Sequence, residues 1–112
     1  MKEAIFHNDV LKVLRSCHPE VRKKIGDLIK DLQDGFSLKM PDSRPFDSIR
    51  KGVFELRVKG KDGSYRVFYF TKIKEVIIVF HMFKKKSQKT PKNEISSAKA
   101  RLGEILEVLN EK

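Results

Sequence analysis

Apolar residues recur along this chain with two different periods, and the change from one to the other organises it. Ala4 to His7 predicts a short strand, after which Asn8 or Asp9 caps a helix carrying Val10, Leu11, Val13 and Leu14. His18 and Pro19 reset the chain, since proline suits a first helical position and is hostile further in. A second helix follows, with Val21, Ile25, Leu28, Ile29 and Leu32 on one stripe, Arg22, Lys23, Lys24, Asp27, Lys30 and Asp31 elsewhere, and Gly35 at its end. Phe36 to Ile49 holds Pro41 and Pro45, sustains no period, and reads as a loop that delivers Phe46 and Ile49 to the core.

From Val53 the period becomes two. Phe54, Leu56 and Val58 point one way, Val53, Glu55, Arg57 and Lys59 the other. Gly60 to Gly63 supplies hairpin chemistry, and Ser64 to Thr71 returns as a strand in which Arg66 shares a face with Phe68 and Phe70, opposite Tyr65, Val67 and Tyr69. Val76 to Phe83 is a third strand after a short polar turn. Thr90 as N-cap and Pro91 as first residue then open a helix with Ile95, Ala98, Leu102, Ile105, Leu106 and Leu109 on its apolar stripe. The order predicts a compact α+β fold, two N-terminal helices and a C-terminal helix packed on a small antiparallel β-sheet, with residues 1–112 as a single domain.

Charge adds the first functional constraint. The net charge of +10 is carried entirely by residues 44–92, where 14 Lys and Arg face 4 Asp and Glu, while the remainder has 11 of each. An excess confined to one segment is an electrostatic footprint for nucleic acid more than a means of solubility. Cys17 is the only cysteine, which excludes an intrachain disulfide and CxxC metal spacing and makes a reducing cytoplasm the expected location. No apolar run is long enough for a membrane span.

Phosphate-loop, dinucleotide, zinc-protease and serine-hydrolase motifs are absent, and the few acids of the basic segment are scattered, so neither cofactor nor metal is expected. What remains is Arg57, Lys59, Arg66, Tyr69, His81, Lys84, Lys85, Gln88 and Lys89 on neighbouring strands and the exit from the third. Such a set can cleave RNA without metal, because the 2′-hydroxyl is a built-in nucleophile. The protein must then take the 2′ proton, stabilise the phosphorane charge, and protonate the leaving 5′ oxygen. Arginine suits the second task, and histidine or a lysine of lowered pKa the others. Each residue also has a bland reading: a solvated strand face for Arg57 and Lys59, a salt bridge to Glu55 for Arg66, a core histidine for His81, core aromatics for Tyr69 and Phe83. His7 and His18 read as local capping residues.

Gly52-Val53-Phe54-Glu55-Leu56-Arg57, then Tyr65-Arg66-Val67-Phe68-Tyr69, then His81 through Pro91 resembles the HigB-type, partly phage-derived branch of the RelE/ParE toxin superfamily. The resemblance implies the toxin of a type II toxin–antitoxin pair, a ribosome-dependent, metal-independent mRNA endonuclease in the cytoplasm. Its partners would be the ribosome, mRNA and a cognate antitoxin with a helix-turn-helix domain. Carried over locally, it assigns Arg57 and Arg66 to phosphate binding and transition-state charge, and His81 or Lys84 to acid or base. Lys59, Lys85, Lys86, Gln88 and Lys89 would grip RNA. No aromatic residue follows Phe83, so Phe83 or Tyr69 would have to stack on a base. A ParE-like poison of DNA gyrase and a non-catalytic basic RNA-binding module are the alternatives.

Overall fold

The structure is a computed structural model that describes residues 1–86 and 89–109. The elements run β1 (Glu3–Phe6), α1 (Asn8–Ser16), α2 (Pro19–Gln33), β2 (Ser43–Pro45), β3 (Val53–Gly60), β4 (Gly63–Phe70), β5 (Val76–Lys85) and α3 (Lys92–Val108). They build a five-stranded sheet of order β1-β5-β4-β3-β2. The sheet is mixed, which corrects the antiparallel expectation. β1 lies parallel to β5, Ile5 beside Ile78, because the intervening helices and hairpin carry the chain back to the same end before β5 begins. β2 was also unforeseen. Its three residues pair with Leu56, Glu55 and Phe54, and a strand this short that ends on Pro45 shows no side-chain alternation.

The two faces predicted for β3 and β4 hold. Leu56, Val58, Tyr65, Val67 and Tyr69 form a first face covered by α1 and α2 through Val10, Val21, Ile25, Leu28, Ile29 and Leu32. Val53, Phe68 and Phe70 form a second face, covered by Ala98, Leu102 and Leu106 of α3 and by Phe46 and Ile49 of the long loop. Each such side chain, fully buried, contributes about 1.5–3 kcal/mol. α3 lies chiefly along β5. The far ends of β3 and β4, on that second face, are therefore left to polar residues.

Two caps differ from expectation. The N-cap of α1 is His7, whose Nδ1 accepts from the Asp9 backbone N–H at 3.0 Å, so the capping reading of His7 holds and that of Asn8 or Asp9 does not. The Asp9 carboxylate instead accepts from Arg101 on α3 at 2.8 Å, a contact between residues 92 apart in sequence. The N-cap of α3 is Pro91, and the Thr90 hydroxyl is spent elsewhere. None of the described helices is long and apolar enough to cross a membrane.

Candidate functional site

The uncovered end of the second face collects its charges by strand register. Arg57 on β3 stands directly opposite Arg66 on β4, and Arg66 opposite Phe83 on β5. Two like charges at facing positions are unfavourable without compensation. The compensation is Glu55, two residues back on β3 and fully buried. Its Oε1 accepts from Arg44 Nε at 2.9 Å and lies 3.7 Å from Arg66 Nε, while its Oε2 accepts from the Thr90 hydroxyl at 3.2 Å. Arg44 reaches Glu55 because β2 places the two opposite one another.

The salt-bridge reading of Arg66 is thus part of the answer. One carboxylate faces Arg44 and Arg66, with Arg57 and Lys85 close enough to feel them electrostatically, so the cluster stays strongly cationic. Arg66, only 6% exposed, has its pKa lowered by loss of hydration and by Arg57 and Arg44, against the pull of Glu55. It remains a cation, as guanidinium does in proteins. Its Nη1 also donates to the Tyr65 carbonyl at 3.3 Å, which fixes the plane of the fork. Arg57 is less occupied. Among the described residues its Nε is buried without a hydrogen-bond partner, and Nη1 has only the Met40 thioether at 3.5 Å. Lys85 carries a lowered pKa, first from dehydration and then from Arg66 and Arg57. A lysine shifted in this direction exchanges its proton more readily near neutrality.

A single bulge decides which lysine joins the arginines. Tyr69 pairs with Val79 but Phe68 with His81, so Phe80 is an extra residue on β5 and every position after it changes face. Lys84 consequently pairs with Tyr65 and approaches Asp62 at 3.6 Å at the hairpin, on the first face, while Lys85 follows Phe83 onto the second. Lys84, expected with the arginines, is not brought to them.

His81 is also held away from solvent chemistry. It is 6% exposed, its ring lies against Phe68, and its Nδ1 is 3.0 Å from Arg101 Nη1. Guanidinium can only donate, so Nδ1 is the acceptor and Nε2–H donates to Glu94 at 2.7 Å. His81 is thus the neutral centre of an Asp9–Arg101–His81–Glu94 chain that docks α3 on α1 and β5, the core-histidine reading. Burial lowers its pKa below the ordinary 6.5, although the Glu94 hydrogen bond opposes this. As pH falls through 6.5 the unfolded chain takes up the proton first, so stability supplied by neutral His81 is lost as pH drops toward the folded value. The urea midpoint is expected to fall between pH 7 and 5 more steeply in the wild type than in a His81→Gln variant; equal slopes would remove His81 from the pH response.

The other expected residues separate by face and burial. Lys59 shares the face of Arg57 and is exposed. Tyr69 is in the core of the first face, its hydroxyl 2.7 Å from Ser43 and its ring stacked on Phe54, out of reach of a base. Phe83 packs on Phe68 and His81 with 8% exposed. Lys86 and Lys89 are exposed beyond the end of β5, and Gln88 lies outside the described residues. Arg44 and Thr90 were missing from the expected set, Arg44 because β2 gave no pattern and Thr90 because it resembled a cap. No group of three or more His, Cys, Asp or Glu among the described residues is placed to share a metal ion.

In comparison with known proteins, the chain matches the family described as phage derived protein Gp49-like (DUF891) over residues 12–103, a span that contains every residue of the cluster. No curated protein matches it. Among solved structures it is similar to the isolated E. coli RelE toxin, with a TM-score of 0.50 and 19% identity over 79% of this chain and 89% of that one. It is likewise similar to a double arginine-to-alanine mutant of the E. coli RelE toxin in the free state, with a TM-score of 0.50 and 20% identity over 94% of this chain and 98% of that one. At these identities the likeness establishes a shared fold.

Proposed function

The chain belongs to the Gp49-like family of phage-derived proteins, and from that premise we propose that it is the toxin of a type II toxin–antitoxin pair, an endoribonuclease acting on mRNA at the ribosome. The observation that carries this reading is the cluster of Arg44, Arg57, Arg66 and Lys85 around the buried carboxylate of Glu55. Arg57 and Arg66 present guanidinium donors from facing strands, the geometry for two non-bridging oxygens of one phosphodiester. The RelE-like fold and the three sequence motifs support the toxin assignment, the cytoplasm as its place of action and a cognate antitoxin as its partner.

The 2′-hydroxyl gives its proton to solvent water, its oxygen forms a bond to the adjoining phosphorus, and the bond to the 5′-oxygen breaks as that oxygen is protonated. The products are a 2′,3′-cyclic phosphate and a 5′-hydroxyl. The two arginines stabilise the charge gathered on the phosphorane oxygens. Lys85, with its lowered pKa, is the group suited to hand a proton to the leaving 5′-oxygen. The message supplies the nucleophile and the ribosome holds its backbone in line, so the toxin itself contributes cations and a proton.

Brief induction followed by mapping of RNA ends is expected to show new 5′-hydroxyl ends within translated messages, lost when translation is blocked. Intact messages together with a DNA-damage response would instead indicate a gyrase poison. The two lysines give a sharper contrast. Lys85→Met is expected to slow cleavage roughly 10²-fold in a reconstituted translation reaction, and Lys84→Met to leave it near wild type. The reverse order would move the proton-transfer role to the other face.

A further inference from the structure

The ladder between β2 and β3 stops at the Ser43–Leu56 pair, and the Arg57 N–H donates to the Asp42 carbonyl at 2.8 Å just beyond it. From Val58 onward the β3 edge has no strand beside it among the described residues. Over this open edge lies a cavity of about 300 Å³ lined by Lys24, Pro41, Asp42, Arg57, Lys59 and Arg66. It joins the two sides of the sheet. Arg57, Lys59 and Arg66 enter from the second face, and Lys24 comes from α2, which covers the first. Four cations meet one acid there, and Arg57 brings a buried Nε without a partner among the described residues.

We propose that this cavity is a second nucleotide subsite, continuous with the Arg57–Arg66 pair, in which Lys24 and Lys59 hold the phosphate adjoining the one that is cleaved. The inference rests on the endoribonuclease reading and names where its single-stranded substrate goes next, around the free edge of β3 toward α2. The cavity is at the small end of ligand sites, which suits one nucleotide and not a duplex. Asp42 limits the wall to a single anion and gives an acceptor for a sugar hydroxyl or base N–H. Lys24 has no place in any of the motifs and belongs to the part of the chain whose charge sums to zero. Only the fold brings it to the arginines.

The test uses two short oligoribonucleotides carrying 2′-deoxy sugars to prevent cleavage, a dinucleotide with one phosphodiester and a trinucleotide with two. Both are titrated into the whole protein by NMR at low salt. The trinucleotide is expected to bind about five-fold more tightly than the dinucleotide, and Lys24→Gln to abolish that advantage while leaving dinucleotide affinity unchanged. Lys24→Arg should preserve the advantage. Lys24 is on an exposed helix face, so an unchanged melting temperature is expected to accompany the loss. The subsite is refuted if Lys24→Gln weakens both ligands alike, weakens neither, or if the wild type binds no trinucleotide. If RNA cleavage is never observed in cells but the Lys24-dependent advantage persists, the endoribonuclease reading fails and the two-phosphate site stands.

Discussion

Alanine at position 66 is expected to slow RNA cleavage by about 10²–10³-fold, the usual cost of removing a preorganised donor from a developing oxyanion. The Arg66 guanidinium is held before substrate arrives: Glu55 lies along Nε, the Tyr65 carbonyl takes Nη1, and the side chain is almost wholly enclosed. A donor oriented in this way needs no reorganisation as charge develops on phosphate. Arg66→Lys should rescue little, because an ammonium has the charge without the planar fork. The fold should survive the alanine. Glu55 keeps Arg44 and Thr90, and the repulsion between the facing residues Arg57 and Arg66 is relieved. A soluble Arg66→Ala protein that cleaves at the wild-type rate in a translation reaction would remove this residue from the chemistry.

How much of this was legible depended on where the period of the sequence stayed regular. The alternation of β3 and β4 is unbroken, so the faces of Glu55, Arg57, Arg66 and Tyr69 follow from counting by two. Counting fails on β5. Ile78 and Phe80 pack on the second face, and strict alternation would carry Lys84 there with them. The bulge at Phe80 inverts the remainder, and nothing in an apolar run such as Val76 to Phe80 marks which residue is the extra one. β1 and β2 depend on partners far along the chain, and their own residues are too few to show a period. Thr90-Pro91 reads as a cap because a hydroxyl before proline fits one, whereas the stronger claim on the hydroxyl comes from a buried carboxylate 35 residues earlier. Arg57, Arg66 and Lys85 are legible as candidates in the sequence, while the placing of Arg44 beside Glu55 and of Lys85 rather than Lys84 on the arginine face needed the tertiary structure.

Glu55 sets the largest expected stability effect, because among the described residues it is the acid buried beneath the cluster and is completely shielded from water. Glu55→Ala would leave Arg66 enclosed as an uncompensated cation, at a cost of about 3–5 kcal/mol. That is a large share of the roughly 5–15 kcal/mol by which a domain of this size is stable. Arg44 adds little to this figure, since its side chain is 46% exposed and can be solvated instead. The cost therefore lies with Arg66, and a double variant separates it from simple loss of packing. If the penalty is the unpaired charge, Glu55→Ala combined with Arg66→Met should recover much of the urea midpoint lost by Glu55→Ala alone, while cleavage stays abolished. Additive losses in the double variant would mean that Glu55 acts by filling space. Recovery of the midpoint would show that what Glu55 contributes to stability is the compensation of the enclosed Arg66 guanidinium.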